Sequence, residues 1–310
     1  MKKTILLTII CAALHYTAQA QFYISARGGY AFSVSSSVAV GSAQSGNGYI
    51  NIDKGKGIKE SANYYGTGGP GLTFALSPGY MFTKHIGAEL GIHYFMSEVL
   101  PLTDRSEIDP QGAINVFRVK LSARSNQVRV APAIVIRGGG EHFTPYMRFG
   151  VLLPVYGSVV LESEQYFETS NETLKVSQRD VLNGAPSVGY QAAVGVAFSI
   201  RKHLELYAEA EIITLSIKAA KLTTVKLDRI VTDKATGETT TYDINSKDAS
   251  TGDPLIDVSD LQAVYKDKID NGTDNTIANP KFDAKQPRNE LSRLANYNSL
   301  GVHVGLRYSF

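Results

Sequence analysis

The chain has 310 residues, with 31 lysines and arginines against 29 aspartates and glutamates, one cysteine, no tryptophan and 43% hydrophobic residues. So balanced a charge argues against a nucleic-acid partner, and a single cysteine excludes an intrachain disulfide framework. No segment reaches eighteen consecutive apolar residues, so a membrane could be crossed only by a closed barrel of strands, each needing about ten alternating residues.

The first twenty residues, MKKTILLTIICAALHYTAQA, join a basic start at Lys2 and Lys3 to an apolar run and to small residues at Ala18 and Ala20. This is the pattern of a cleaved secretory signal, which predicts a mature chain beginning at Gln21. Ile10 before Cys11 is too bulky for a lipoprotein site. Removing Lys2 and Lys3 leaves 29 basic residues against 29 acidic ones and no cysteine. An exported chain without disulfides must draw its stability from a sizeable core, bound ions or a membrane.

Eight stretches then alternate with period two, the signature of strands. They are QFYISARGGYAF from Gln21, GLTFALSPGYMF from Gly71, IGAELGIHYF from Ile86, QVRVAPAIVIR from Gln127, TPYMRFGVLLPV from Thr144, GYQAAVGVAFSI from Gly189, LELYAEAEI from Leu204 and GVHVGLRYSF from Gly301. One face of each is apolar, with Phe, Tyr, Leu, Ile and Val prominent; the other is rich in Gly, Ala and Ser with a few Arg and Glu. A sheet facing water would carry Lys, Thr and Glu freely, whereas small residues with sparse charges fit the inside of a narrow barrel. The large apolar face is then the one that meets lipid.

Connections alternate in length. Three are short, at Thr83–His85, Gly138–Phe143 and Arg201–His203, while four are long and polar, at about 34–70, 97–125, 158–186 and 213–296. Short turns on one rim and long loops on the other give the periplasm-to-exterior polarity of outer-membrane barrels. The first long connection is Ser/Gly-rich. In the fourth, two β-prone runs flank KATG (residues 234–237) and predict a hairpin reaching past the membrane.

The signal peptide, the eight amphipathic strands and the terminal VHVGLRYSF resemble the small eight-stranded outer-membrane β-barrels of Gram-negative bacteria, of the OmpA transmembrane-domain and OmpX type. The resemblance implies an all-β, eight-stranded antiparallel up-and-down transmembrane barrel. It further implies that Val302, Val304, Leu306, Tyr308 and Phe310 form the C-terminal signal read by the barrel-assembly machinery. Outer-membrane lipids are the second implied partner. With no tryptophan, an aromatic girdle must rest on Tyr and Phe, such as Tyr80, Phe82, Tyr94, Tyr146, Tyr190 and Tyr308.

Inward-facing charges form the candidate site: Arg27, Arg129, Arg148 and Arg307 with Glu89, Glu205, Glu209 and Glu211. Buried without partners, each would cost several kcal/mol, so they must pair or be hydrated. Expected is a cluster of Arg27, Glu209 and Arg307 on neighbouring strands, facing Glu89 and Arg148 across the lumen. A filled barrel is the leading reading, and a narrow channel or small hydrophobic-ligand barrel the alternative. His93 and His303 also face inward, but their spacing demonstrates no metal site. No catalytic constellation or cofactor motif is visible: GGGEHF, Gly138–Phe143, precedes no helix, and DKIDNGTDN, Asp267–Asn275, misses the calcium-loop spacing. The expected role is non-enzymatic, structural or in surface interaction, with the exterior loops as the recognition surface; a lipid-modifying outer-membrane enzyme ranks third, behind the channel or ligand barrel.

Overall fold

Alternation at this density builds sheet almost everywhere. The computed structural model describes residues 21–34, 48–140, 142–270, 272 and 274–310; the predicted signal peptide and residues 35–47 of the first exterior connection lie outside the described residues. In chain order the elements are β1 Gln21–Ser33, β2 Gly48–Asp53, β3 Gly57–Ala62, β4 Gly71–Met81, β5 Ile86–Ser97, β6 Leu100–Ile108, β7 Val116–Arg137, β8 Phe143–Glu168 and β9 Glu172–Gly184. There follow β10 Gly189–Arg201, β11 Leu204–Thr214, β12 Ser216–Asp233, β13 Thr239–Asp243, the short helix α1 Val258–Leu261, β14 Gln262–Lys266, β15 Arg288–Leu291, β16 Leu294–Asn296 and β17 Ser299–Ser309.

Eight of these close a barrel in the order β1, β4, β5, β7, β8, β10, β11, β17, every neighbouring pair antiparallel. The last strand returns to the first, from Tyr23 opposite Ser309 to Ser33 opposite Ser299. The seam continues one residue further: Phe310 N–H donates to the Phe22 carbonyl at 2.9 Å, and the two rings lie 5.4 Å apart. No edge strand is left in the barrel wall.

The faces segregate as a lipid-immersed barrel requires. Ile24, Leu76, Ile92, Ile134, Phe149, Val194, Leu206 and Val304 point outward and are exposed, whereas Ser25, Ser77, His93, Ala133, Arg148, Ala193, Tyr207 and His303 point inward and are buried. Tyr80, Phe82, Tyr94, Tyr190 and Tyr308 stand on the outer surface as girdle candidates should, but Tyr146 does not: it is buried in the lumen. Its place in the strand decides this, because Tyr146 shares parity with Arg148 and Gly150 on the small-residue face.

Above the barrel the wall keeps going. β7 has 22 residues and β8 has 26, about twice the length needed to cross a bilayer or more. Their exterior halves pair from Val116 opposite Glu168 to Gln127 opposite Gly157. Flanking strands extend this hairpin into a sheet ordered β3, β2, β6, β7, β8, β9, β12, with β13 and β14 both on the far side of β12 and β15 beyond β14. The predicted hairpin around KATG is present, with Asp228 opposite Asp243 through Thr232 opposite Thr239.

Connections 97–125, 158–186 and much of 213–296 are therefore sheet rather than loop. FRVKLSAR, residues 117–124, alternates as cleanly as the membrane strands, but its second face carries Arg118, Lys120 and Arg124. A strand with one face in water looks polar overall while keeping its period.

Candidate functional site

Small residues on the inner face decide where large ones can go. Tyr23, Tyr146 and Tyr207 each sit directly opposite a glycine on the next strand: Gly79, Gly195 and Gly305. A Cβ at any of the three glycines would run into the facing tyrosine ring. The rings lie flat along the wall and leave the barrel axis to longer side chains. Between them runs Arg307, its guanidinium carbon 4.7, 5.3 and 5.5 Å from the ring centres of Tyr23, Tyr146 and Tyr207. This aromatic box supplies cation–π attraction where water is excluded.

One layer further from the short turns lies the ion network. Arg27 on β1 reaches Glu209 at 2.6 Å and Glu211 at 3.0 Å, both on β11. Arg148 on β8 reaches Glu89 on β5 at 3.1 Å and the same two β11 carboxylates at 2.8 Å each. Two guanidiniums thus tie four strands to one centre. The aromatic layer is bolted to it, as Tyr23 O–H donates to Glu89 at 3.1 Å and Tyr146 O–H to Glu209 at 2.7 Å. All five charged side chains are at most 4% exposed. Charges this dry are tolerated only when paired on several sides, since the interior neither screens nor solvates them.

Toward the exterior the polar centre gives way to an apolar cap. Phe95, Ala131, Leu152, Ile213, Leu215 and Tyr297 pack together, with Val159, Ile217 and Ala295 against them. Arg129 lies at the boundary, 4.1 Å from the Phe95 ring centre and 5.9 Å from that of Tyr297. Its Nε–H donates to Gln127 at 2.9 Å, and Gln127 in turn donates to Ser125 at 2.9 Å.

Of the eight charged residues singled out from sequence, five meet in the central network: Arg27, Glu89, Arg148, Glu209 and Glu211. Glu89 and Arg148 do not face the cluster across a gap but belong to it. Arg307 does not join Glu209 as expected; it points to the short-turn end, where Glu205 at 3.4 Å also receives Arg137 at 2.6 Å. Arg129 has no carboxylate within ion-pair distance among the described residues. Strand position fixes a residue's height on the wall, but the direction a long side chain takes depends on space left by its neighbours. Tyr23, Tyr207, Phe95 and Tyr297 had no assigned role. For Tyr23, Tyr207 and Phe95 the available signal was an aromatic ring on a face rich in small residues; Tyr297 lies between β16 and β17, outside the alternating stretches.

The outer membrane protein β-barrel domain family matches residues 4–245. The chain belongs to that family. The match ends before β17, so the strand that closes the barrel lies beyond it. Membership places the chain in the bacterial outer membrane. No curated protein matches the chain. Among solved structures it is similar to a major outer membrane protein from Thermus thermophilus, at 13% identity over 94% of this chain and 100% of that one, with a TM-score of 0.34. OprG from Pseudomonas aeruginosa is similar at 12% identity over 94% and 96%, with a TM-score of 0.39. Scores this low leave the family match to stand alone. Among the described residues of this family member no three His, Cys, Asp or Glu side chains converge as metal ligands.

Arg148 makes the most ion pairs in the lumen, so Arg148→Met, which keeps most of the bulk, leaves three carboxylates undercompensated. Urea titration of the detergent-refolded barrel should show a loss of about 3–5 kcal/mol. A loss below about 1 kcal/mol would mean that water already solvates this centre.

Proposed function

We propose that this protein is a non-enzymatic outer-membrane barrel whose lumen is a structural plug and whose work is done by the exterior sheet, as a surface for recognition. One observation carries the reading: the strands run on as paired sheet far past the length a membrane needs, while the lumen below them is packed with buried side chains. A wall that serves only to anchor has no use for that extension.

The outward face of the extension is banded by charge. β7 presents Lys120 and Arg124, β8 presents Glu162 and Glu164, and β9 presents Lys175 and Arg179. Lys120 stands opposite Glu164, and Glu162 opposite Arg179 with 3.8 Å between their charged atoms. At the tip, hydrogen bonds from Lys234 and Tyr166 hold the Glu168 carboxyl below the usual carboxylate range. Alternating bands favour a partner with matching alternation over a uniformly charged one.

Export and assembly complete the proposal. Cleavage before Gln21 would free the residue at which β1 begins. The outward side chains Val302, Val304, Leu306, Tyr308 and Phe310 would be read by the barrel-assembly machinery before β17 closes on β1, and outer-membrane lipids then cover the apolar belt.

Planar-bilayer recording tests the plug: the wild-type barrel should give no steady ohmic current, and a stable open conductance would promote the channel reading. Deleting Phe310 tests the assembly signal. The truncated chain should reach the outer membrane poorly and lose the shift in gel mobility between unheated and boiled samples; wild-type amounts of heat-modifiable barrel would contradict it.

A further inference from the structure

The lumen contains an imbalance of charge that the ion network does not resolve. The buried and half-buried lumenal charges are five arginines, at 27, 129, 137, 148 and 307, and four glutamates, at 89, 205, 209 and 211. Among the described residues Arg129 is the one of these without an acidic partner. It is 1% exposed, its Nε–H is taken by Gln127, and its Nη2 has no acceptor among the described residues.

A second orphan donor stands beside it. His93 on β5 is directly opposite Arg129 on β7 and is also 1% exposed. Its Nε2 lies 3.2 Å from Nη2 of Arg27. A guanidinium only donates, so Nε2 must accept and the ring proton must sit on Nδ1. That Nδ1–H has no acceptor among the described residues. Facing residues on adjacent strands thus carry a buried cationic N–H and a buried neutral N–H, both unanswered. An orphaned polar group in a dry interior is a strong demand for a partner, and the charged one makes the stronger demand.

We infer that Arg129 and His93 hold a small monovalent inorganic anion of halide size, taken up as the barrel closes beneath its apolar cap. An anion supplies both the missing acceptor and the missing negative charge. A metal ion is the wrong sign for a guanidinium, and the Nδ1 that would bind it is protonated. Among the other unpartnered lumenal groups, Arg27 Nε and Arg148 Nε belong to guanidiniums already paired with carboxylates, and Gln191 Oε1 is an acceptor. Glu211 Oε2 and His303 Nε2 are 3.9 Å apart, a spacing that a single water can bridge.

Bromide is the probe. At matched ionic strength the urea midpoint of the wild-type barrel should be higher in sodium bromide than in sodium gluconate, because a ligand bound only by the folded state stabilises it. Arg129→Gln should abolish that difference, which separates site binding from general salt effects on burial. Crystals of the wild-type protein grown in bromide should show an anomalous peak touching both Arg129 Nη2 and His93 Nδ1. Equal midpoints in the two salts, a bromide gain that survives in Arg129→Gln, or no peak at that place would overturn the inference in favour of water alone. Should Arg129→Gln fail to fold, the anomalous peak decides by itself.

Discussion

Eight strands enclose a space that side chains can just fill, and everything polar inside that space must find a partner there. This one constraint orders the molecule from one rim to the other. Glycines opposite Tyr23, Tyr146 and Tyr207 let the rings lie against the wall. The flattened rings leave an axial slot for Arg307. Arg27 and Arg148 then gather Glu89, Glu209 and Glu211 into a dry centre, above which Phe95, Leu152, Leu215 and Tyr297 seal the lumen. The network is not an ornament on a finished barrel, because its members come from four strands and the pairs of Arg27 with Glu209 and Glu211 span the seam where β17 closes on β1.

The same constraint underlies the proposed division of labour between the two halves of the barrel's height. Within the membrane the outer face is uniformly apolar and the inner face is committed to internal pairing, so neither is available to a partner. Above the membrane the outer face meets water, and there β7, β8 and β9 present charges in bands. Specificity can be written only where side chains are both exposed and free of structural duty.

Much of this was legible in the sequence. Strict alternation, with small residues on one face, was enough to give strand number, facing and barrel closure, since a one-residue slip would turn Arg27 or Glu209 into lipid. The extent of sheet was not legible, because residues 117–124 and 158–168 keep the period while their charged face lowers their hydrophobicity to that of a loop. Pairing inside the lumen was legible only in part. Arg27 with Glu209 follows from their place on the two strands that flank β17, whereas the turn of Arg307 toward Glu205 and the isolation of Arg129 depend on which neighbouring positions are glycine and which are aromatic. Tyr146 shows the same limit: its residue type suits a girdle, but strand parity puts it inside.

The central claim is that buried ion pairs across the lumen, and not the wall alone, hold the barrel shut. A double-mutant cycle tests it most directly. Arg148→Met and Glu209→Gln, singly and together, are compared by urea unfolding in one detergent. If the pair at 2.8 Å is dry and structural, the two changes should couple by about 2–3 kcal/mol, near the upper end for interacting residues. Additive effects, coupled by less than about 0.5 kcal/mol, would mean that the lumen is wet and that the barrel owes its closure to its backbone seam.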